Sequence, residues 1–324
     1  MTSRWRDTAS RPERGIRGPE RATVRDVDAL NRVFSEAFTD RYARDGLTGV
    51  RVPHLNPAVW RYAIEDAGEG AMVWRDGEGA VAGFNMLHRS GSEGWMGPLA
   101  VRPDLQGEGL GGLMVRSGIT WLHEQGARAI GLETMPRTVE NIGFYSRIGF
   151  VPGPLTVTVV RDLGRRGGPA GPSLSEGPVG RRLAECRALT ERILPGVDYT
   201  RELQLTLELG LGDTALVLRG GAVAGFALWH SVPLAAARPK DEVRVLKLVA
   251  EDLETFGQVI EAVQAAADAE QVRRVTVRCQ TAQAEAYLHL IGQGYRVHWT
   301  DLRMTLRGRG ERVPNGVVMS NWEI

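Results

Sequence analysis

The chain contains two copies of nearly the same segment, and this repeat restricts its fold more than any other feature. The sequence GAVAGFNMLHRS at 79–90 returns as GAVAGFALWHS at 221–231, and an apolar run with turn glycines precedes each copy. Alternating apolar residues beside a glycine turn predict a β-hairpin in each half. The repeat therefore predicts two domains of one fold, joined in tandem.

A segment rich in glycine and proline, GRRGGPAGPS at 164–173, lies between the copies and is typical of a linker. The sequence predicts a mobile tail at 1–14, a first domain at 15–163 and a second domain at 174–324. At 324 residues the chain is long enough for two cores. Hairpin strands first and a βαβ step later predict an α/β fold in each domain, with a mixed sheet and helices on both faces.

Charge and composition argue against several classes of partner. With 40 basic and 39 acidic residues the net charge is +1, which attracts neither nucleic acid nor an anionic membrane. No signal-peptide pattern and no apolar run of membrane-spanning length is present. Cys186 and Cys279 lack metal-ligand spacing, so we expect no metal site, and two widely separated cysteines suit the reducing cytoplasm. For the oligomeric state we expect a monomer or a homodimer.

Four glycines lie within the eight residues LQGEGLGG at 105–112, between a predicted strand and a predicted helix. Glycines allow an anion to approach the free N–H groups at a helix start. The segment also fits the G-x-G-x-x-G dinucleotide pattern, but residues 102–106 separate it from the strand and only one βαβ step follows. These features argue against NAD. A turn without a ligand is a third interpretation, although it leaves the number of glycines unexplained.

The loop and a second motif together resemble the GNAT superfamily of acyl-CoA-dependent N-acetyltransferases. Gln106, Gly109 and Gly111 match the Q-x-x-G-x-G pattern of the pyrophosphate loop in that family, and a helix motif with Tyr145 and the pair Gly149-Phe150 follows. The resemblance covers residues 16–163. It implies tandem GNAT-like domains, each a mostly antiparallel sheet with a splayed central strand pair. It also implies acetyl-CoA as co-substrate and a primary amine of a small molecule or peptide as acceptor.

The resemblance also implies roles for individual residues. The loop amides would hold the pyrophosphate, and the strand at 99–101 would pair with the pantetheine arm of acetyl-CoA. An N–H near Leu99 or Ala100 would polarise the thioester carbonyl. Tyr145 would act as general acid towards the leaving thiolate. The implied cofactor contacts are Leu99, Ala100, Val101, Gln106, Gly107, Glu108, Gly109, Leu110, Gly111, Gly112, Asn141 and Tyr145. The asparagine lies one position from its usual place in the family, which Glu140 occupies.

The general base is less clear from the sequence. Gly97 stands where many relatives carry a strand glutamate. Glu133 is the candidate that we assign, because it lies at the end of the strand beside the cofactor strand. Glu93, His88 and a chain of water molecules are the alternatives.

The long polar and aromatic connection at 39–62 is where this fold usually lines its acceptor site. Arg51 and Arg61 lie in it. These arginines predict an acceptor that bears a carboxylate.

The second copy has lost both motifs. In our alignment LETFGQVI replaces LQGEGLGG, Gly257 is the glycine that remains, and Leu290 replaces Tyr145. Acidic residues at 251–254 would repel an anionic cofactor. We therefore expect a degenerate second domain that packs on the first or walls its substrate site, with the tail VVMSNWEI reaching across. A non-catalytic acyl-CoA sensor or scaffold is the alternative function for the whole chain.

Overall fold

The computed structural model describes residues 15–164 and 171–322, which we call the first half and the second half. The predicted tail at 1–14 and most of the predicted linker lie outside the described residues. The first half contains β1 (Arg17–Arg21), α1 (Val27–Arg44), α2 (Pro57–Ala67), β2 (Ala71–Arg75), β3 (Val81–Ser90), β4 (Glu93–Val101), α3 (Leu110–Glu124), β5 (Ala129–Thr134), α4 (Val139–Ile148) and β6 (Phe150–Asp162).

The second half repeats much of this order. It contains α5 (Val179–Ile193), α6 (Thr200–Glu208), β7 (Gly212–Arg219), β8 (Ala222–His230), β9 (Glu242–Ala250), α7 (Leu253–Ala269), β10 (Arg274–Gln280), α8 (Ala284–Gly292), β11 (Arg296–Leu306) and β12 (Val317–Ser320). The two predicted hairpins are confirmed as the antiparallel pairs β2–β3 and β7–β8.

One helix lies where the sequence suggested only a connection. Asn56 caps α2 by accepting a hydrogen bond from the backbone N–H of Ala58, and Pro57 stands at the first helical position. Proline is favoured there because its missing N–H would lack an intrahelical partner in any case. The connection predicted at 39–62 is therefore wrong at both ends, since α1 continues to Arg44 and α2 begins at Pro57.

The twelve strands of the described residues form one continuous sheet. Its order is β1-β2-β3-β4-β5-β11-β6-β10-β9-β8-β7, and β12 pairs with β9. The pairs β4–β5 and β9–β10 are parallel, and the other ladders are antiparallel. This confirms the predicted fold class of two similar units, each with a mixed and mostly antiparallel sheet.

The two halves exchange strands at the centre of the sheet. Strand β11 of the second half lies between β5 and β6 of the first, and β6 in turn pairs with β10 of the second half. Each half therefore completes the sheet of the other. The sequence predicted two separate sheets, because strand pairing between distant segments leaves no local signal.

Helices cover both faces of the sheet in the first half. On one face, α1 and α2 pack on β2 and β3, where the rings of Trp60 and Phe84 meet edge to face at 5.4 Å. On the other face, Met114 of α3 and Tyr145 of α4 pack against β4 and β5. The layer of α3 and α4 therefore covers the strand pair β4–β5, and α1 contacts β4 from the opposite face.

Candidate active site

Strands β4 and β5 separate along their length and leave a wedge between them. Their parallel ladder runs from Glu93 beside Ala129 to Trp95 beside Gly131 and ends there, although β4 continues to Val101. On its other side β4 contains a bulge, because the register with β3 shifts across residues 97–98. The predicted splayed strand pair is thus present.

The edge of β4 that faces the wedge carries free backbone donors. The N–H of Arg102 donates a hydrogen bond to the carbonyl oxygen of Ala82 in β3 at 2.9 Å. Successive N–H groups alternate in direction along a strand, so the N–H of Ala100 also points to β3. The N–H groups of Leu99 and Val101 therefore point into the wedge. Of the two predicted donors to a thioester carbonyl, the geometry favours Leu99 over Ala100.

The glycine loop leads from β4 to an uncapped helix start. Gly107 and Gly109 adopt the left-handed region at φ +83° and +87°, and no side chain caps the N-terminus of α3. The first N–H groups of a helix lack intrahelical acceptors, so they are available to an anion. The side chain of Gln106 donates to the carbonyl of Val101 at 3.0 Å, which fixes the loop on the strand that precedes it.

A cavity of about 370 Å³ opens at the wedge. The first half contributes Leu99, Glu133, Asn141 and Tyr145 to its lining, all of which the sequence had singled out. The second half contributes five residues, which are Leu234, Ala235, Trp299, Asp301 and Trp322. The second half therefore walls this cavity, and Trp322, from the segment expected to reach across, lines it.

Tyr145 lies at the cavity with its side chain mostly buried. Its ring packs between Phe144, with centroids 5.0 Å apart, and Phe150, at 6.0 Å. Burial raises the pKa of the Tyr145 phenol to about 12. The hydroxyl therefore keeps its proton throughout the physiological pH range and can donate it.

Comparison with known proteins agrees with this geometry. Residues 29–150 match the model of the acetyltransferase (GNAT) family. The first half is a GNAT-family domain. No curated protein sequence matches the chain.

Solved structures with the same overall fold cover both halves. A GCN5-related N-acetyltransferase from Sphaerobacter thermophilus is 15% identical, with 94% of this chain and 98% of that chain covered at a TM-score of 0.56. A tandem GNAT protein from the clavulanic acid biosynthesis pathway is also 15% identical, with 90% and 98% covered at 0.57. The N-myristoyltransferase of Saccharomyces cerevisiae is 10% identical, with 97% and 87% covered at 0.64. These likenesses show a tandem GNAT fold.

The carboxylate of Glu133 in the GNAT domain is fully engaged by neighbouring groups. Arg303 and Thr156 donate to its Oε1, and Arg278 donates to its Oε2 at 2.6 Å. Burial alone would raise the pKa of Glu133, but the charges of Arg303 and Arg278 outweigh it and lower the pKa. A carboxylate with a lowered pKa and both oxygens occupied is a weak proton acceptor. Its assignment as general base stays a prediction, and the ion pairs argue against it.

We expect Glu133→Gln to destabilise the protein by roughly 3–5 kcal/mol, because two buried guanidinium groups lose their shared counter-charge. The contribution of Glu133 is present above its unfolded pKa of 4.5 and is lost as the pH falls through the lower folded pKa. Urea unfolding at pH 7 should therefore show the full difference, and the difference should narrow below pH 4.5. Glu65→Gln, which removes the exposed ion pair with Arg61, is the control and should cost less than about 1 kcal/mol. A loss below 1 kcal/mol for Glu133→Gln would contradict the ion-pair interpretation.

The other two candidate bases do not line the cavity at the β4–β5 wedge, which we call the GNAT cavity. Glu93 is buried and accepts hydrogen bonds from Ser320 at 2.5 Å and from the indole of Trp322 at 2.9 Å. His88 is buried with its Nδ1 2.5 Å from Asp66, and its ring stacks on an indole 4.0 Å away. Glu93 therefore takes part in the contact between the halves, whereas His88 is held within the first half, and neither lines the cavity.

The arginines that predicted an acidic acceptor also lie elsewhere. Arg51 is exposed, Arg61 pairs with Glu65 on the surface, and neither lines the cavity. The arginine that does line it is Arg41, which forms ion pairs with Asp45 at 2.7 Å and with Glu140. The prediction of an acceptor with a carboxylate is therefore not supported by the geometry.

Sequence reasoning missed Trp299 and Asp301, although both line the cavity. They lie on β11, which reaches the GNAT domain only through the strand exchange. Burial raises the pKa of Asp301, and the nearby charge of Glu133 adds to this effect while Arg278 opposes it. No local pattern could have assigned a residue of the second half to the site of the first.

In the second half, strand β12 occupies the position that is equivalent to the wedge. Strands β9 and β10 pair only as far as Val245 beside Val277. Beyond that point β12 pairs with residues 247–250 of β9, along the edge that stays open in β4. The backbone of Asn321 continues this contact by donating to Leu246, and the chain then places Trp322 at the GNAT cavity.

The loop of the second half is also shortened. Residues 102–109 connect β4 to α3, whereas only residues 251–252 connect β9 to α7. Asp252 caps α7 by accepting a hydrogen bond from the N–H of Thr255 at 2.7 Å. The residue-by-residue alignment of LETFGQVI with LQGEGLGG is therefore wrong, because the loop is missing and a side chain already occupies the helix start.

Other kinds of site find little support within residues 15–164 and 171–322. No three histidine, cysteine, aspartate or glutamate side chains there form a group that could hold a metal ion. Among the helices of this same part of the chain, none combines the length and apolar character that crossing a membrane requires. A larger cavity of about 570 Å³ lies between residues 171–176 and α7, and no residue of the β4–β5 wedge lines it.

Proposed function

We propose that the chain is an acetyl-CoA-dependent N-acetyltransferase with a single active site, at the β4–β5 wedge. The observation that carries this proposal is one continuous arrangement: an open strand edge, a glycine loop at an uncapped helix start, and the phenol of Tyr145 at the same cavity. The GNAT family match to residues 29–150 supports acyl transfer in general. Acetyl as the acyl group, an amine as acceptor and the roles of single residues are parts of the proposal.

Acetyl-CoA supplies an activated thioester carbonyl, and this chain supplies groups that hold and polarise it. The N–H groups at the start of α3 hold the pyrophosphate, and the exposed edge of β4 pairs with the pantetheine arm. The N–H of Leu99 donates to the carbonyl oxygen, where negative charge develops as the amine nitrogen attacks. The C–N bond forms, the C–S bond breaks, and the phenol of Tyr145 donates its proton to the departing sulfur. A proton from the acetylated nitrogen restores the phenol through solvent.

The floor of the wedge favours a short acyl group. Trp322 is buried there, and a Cβ added to Gly131 would lie 2.1 Å from its ring, so the indole fills the apex of the wedge. The related yeast N-myristoyltransferase was solved with bound myristoyl-CoA, a long-chain donor. We propose acetyl-CoA for this chain because the filled apex leaves no space for such a chain in that direction.

A non-catalytic acyl-CoA sensor is the second candidate function. It is favoured by one observation, which is the full engagement of the Glu133 carboxylate by Arg278, Arg303 and Thr156. A sensor needs the cofactor site but no base. The location in the cytoplasm, the absence of nucleic-acid and membrane partners and the monomeric or homodimeric state also remain proposals.

Release of free thiol from acetyl-CoA in the presence of amines separates the two functions. An N-acetyltransferase should release thiol with at least one primary amine, and the product amine should carry the acetyl group by mass spectrometry. A sensor should show a rise in Tm with acetyl-CoA but no amine-dependent thiol release. No rise in Tm with millimolar acetyl-CoA would contradict both.

A further inference from the structure

Among the described residues, two carboxylates line the GNAT cavity, and both are paired with buried guanidinium groups. Both oxygens of Glu133 accept hydrogen bonds, and Arg278 and Arg303 are among the donors. Asp301 lies 3.0 Å from Arg278 with one oxygen and accepts a hydrogen bond from the indole of Trp299 with the other. The side chains of Glu133 and Asp301 are 1% and 4% exposed. Neither carboxylate is therefore positioned to take a proton from a ligand.

The other ionisable side chains at the cavity come from α1 and α4, and they already carry their protons at neutral pH. Arg41 is a cation that pairs with Asp45 and Glu140. Tyr42 and Tyr145 contribute phenols, which are protonated at neutral pH. No histidine is among the described residues that line the cavity. Within the described lining, no side chain is thus available as a base for a bound ammonium group.

The acceptor side of the cavity is also apolar. Side chains from α1, from the segment before α2 and from the loop after β8 form this wall, and they include Phe34, Phe38, Leu55 and Leu234. An ammonium group is strongly hydrated, and its transfer from water to such a wall is costly without a carboxylate to receive it. Loss of hydration favours the neutral form of an amine over its protonated form. The cavity therefore favours the neutral amine.

We propose that the acceptor enters the GNAT cavity as a neutral amine that has already lost its proton to solvent, and that the acceptor class is the weakly basic primary amines. This inference rests on the proposed N-acetyltransferase function and specifies the acceptor of the same site. The nitrogen lone pair attacks the thioester carbon, the C–N bond forms and the C–S bond breaks. Tyr145 gives its proton to the sulfur, and the nitrogen then releases one proton, which restores the phenol through solvent. No protein base takes part.

The fraction of neutral amine in solution separates the classes of acceptor. An alkyl amine such as a lysine side chain has a pKa of about 10.4, so roughly one molecule in 2,500 is neutral at pH 7. The α-amino group of a peptide has a pKa of about 7.8, so roughly one in seven is neutral. Aromatic amines are neutral at this pH. Peptide α-amino groups and aromatic amines are thus expected acceptors, ahead of lysine side chains and polyamines.

Phenethylamine and 2,2-difluoro-2-phenylethylamine form a matched pair of probes, because the fluorines lower the basicity of the nitrogen and change the size of the molecule little. For each amine we expect kcat/KM to rise about 10-fold per pH unit and to level off at the pKa of that amine in water. The pH of levelling should therefore differ between the two probes by the difference between their amine pKa values. At pH 7 the fluorinated amine should have the higher kcat/KM, by about 10-fold or more.

The readout is thiol release at saturating acetyl-CoA from pH 6 to about pH 10.5, with the acetylated amine confirmed by mass spectrometry. Enzyme that is held at each pH and then assayed at pH 7 controls for loss of the fold. Glu133→Gln and Asp301→Asn test the two carboxylates. Each variant should level off at the same pH as the wild type, and kcat should fall by less than about 10-fold, whereas loss of a general base costs about 100-fold or more. The wild-type profiles decide where a variant does not fold.

The outcomes separate this inference from the proposed function. Levelling at one common pH for both amines, or a kcat/KM that falls above the pKa of the amine, would overturn the inference while the enzyme remains an N-acetyltransferase. If acetyl-CoA binds but neither amine reacts, calorimetric titration of the two amines decides. Affinity that rises with pH up to the pKa of each amine supports the inference, and pH-independent binding or no binding overturns it. Failure of acetyl-CoA itself to bind overturns the proposed function as well.

Discussion

Tyr145→Phe should lower kcat by roughly 100- to 1,000-fold, which is the range for loss of a positioned general acid. The substitution removes one hydroxyl and keeps the ring between Phe144 and Phe150, so the packing of α4 is preserved. Steady-state thiol release at saturating acetyl-CoA measures kcat, and the rise in Tm with CoA should match that of the wild type. A lower kcat with intact binding would place the loss in the chemical step.

The control for this variant is Tyr199→Phe. Tyr199 is also a buried tyrosine, but it lies in the second half and does not line the cavity. Its loss should leave kcat within 2-fold of the wild type. The raised pKa of Tyr145, about 12, also predicts that kcat shows no fall from phenol ionisation up to pH 10. A decrease of less than 3-fold for Tyr145→Phe would remove this residue from the mechanism.

Gly111→Glu should weaken CoA binding by roughly 100-fold. Two unit charges about 6 Å apart repel by about 3 kcal/mol at an effective dielectric constant of 20, and a carboxylate on the first turn of α3 would face the pyrophosphate at such a distance. A Cβ at this position meets Phe144 at 3.6 Å, an ordinary contact, so the backbone accepts a side chain. The Kd for CoA by calorimetric titration is the measurement.

Gly111→Gln is the matched control, because glutamine has the size of glutamate without its charge. We expect it to weaken CoA binding by about 10-fold or less through bulk alone. The unliganded glutamate variant should be at least as stable as the glutamine variant, since a negative charge at a helix start is favourable. Equal CoA affinities for the two variants would show that the start of α3 does not hold the pyrophosphate.

Much of the fold followed from the sequence because its signals are local. The two hairpins, the glycine loop and the helix of Tyr145 each show in a short stretch of residues. Helix α2 had a local signal too, the pair Asn56-Pro57, which is typical of a helix start. The strand exchange had none, because β6 and β11 look like ordinary strands and their pairing depends on segments far apart along the chain.

The site shows the same division between local and distant information. The glycine loop and Tyr145 lie within one motif-bearing half, so the sequence already predicted that they belong to one site. The ion pairs of Glu133 could not be predicted from the sequence, because Arg278 and Arg303 come from the other half. Asp301 was missed for the same reason. Charge that one half supplies to the site of the other is visible only in three dimensions.

The second half differs from a domain that has only lost its motifs. Its wedge is closed by β12 and its helix start is capped by Asp252. The same segment that closes this wedge carries Trp322 to the first site. The second half is therefore not only degenerate, because its closed wedge anchors part of the wall of the GNAT cavity.

One chain with two similar halves should bind one acetyl-CoA, and the stoichiometry of binding measures this. Calorimetric titration of the full chain should give one acetyl-CoA bound per chain, and Gly111→Glu should remove most of this binding. Two molecules per chain would show that β12 leaves the second wedge open. No binding at millimolar acetyl-CoA, or full binding by Gly111→Glu, would contradict a cofactor site at the glycine loop.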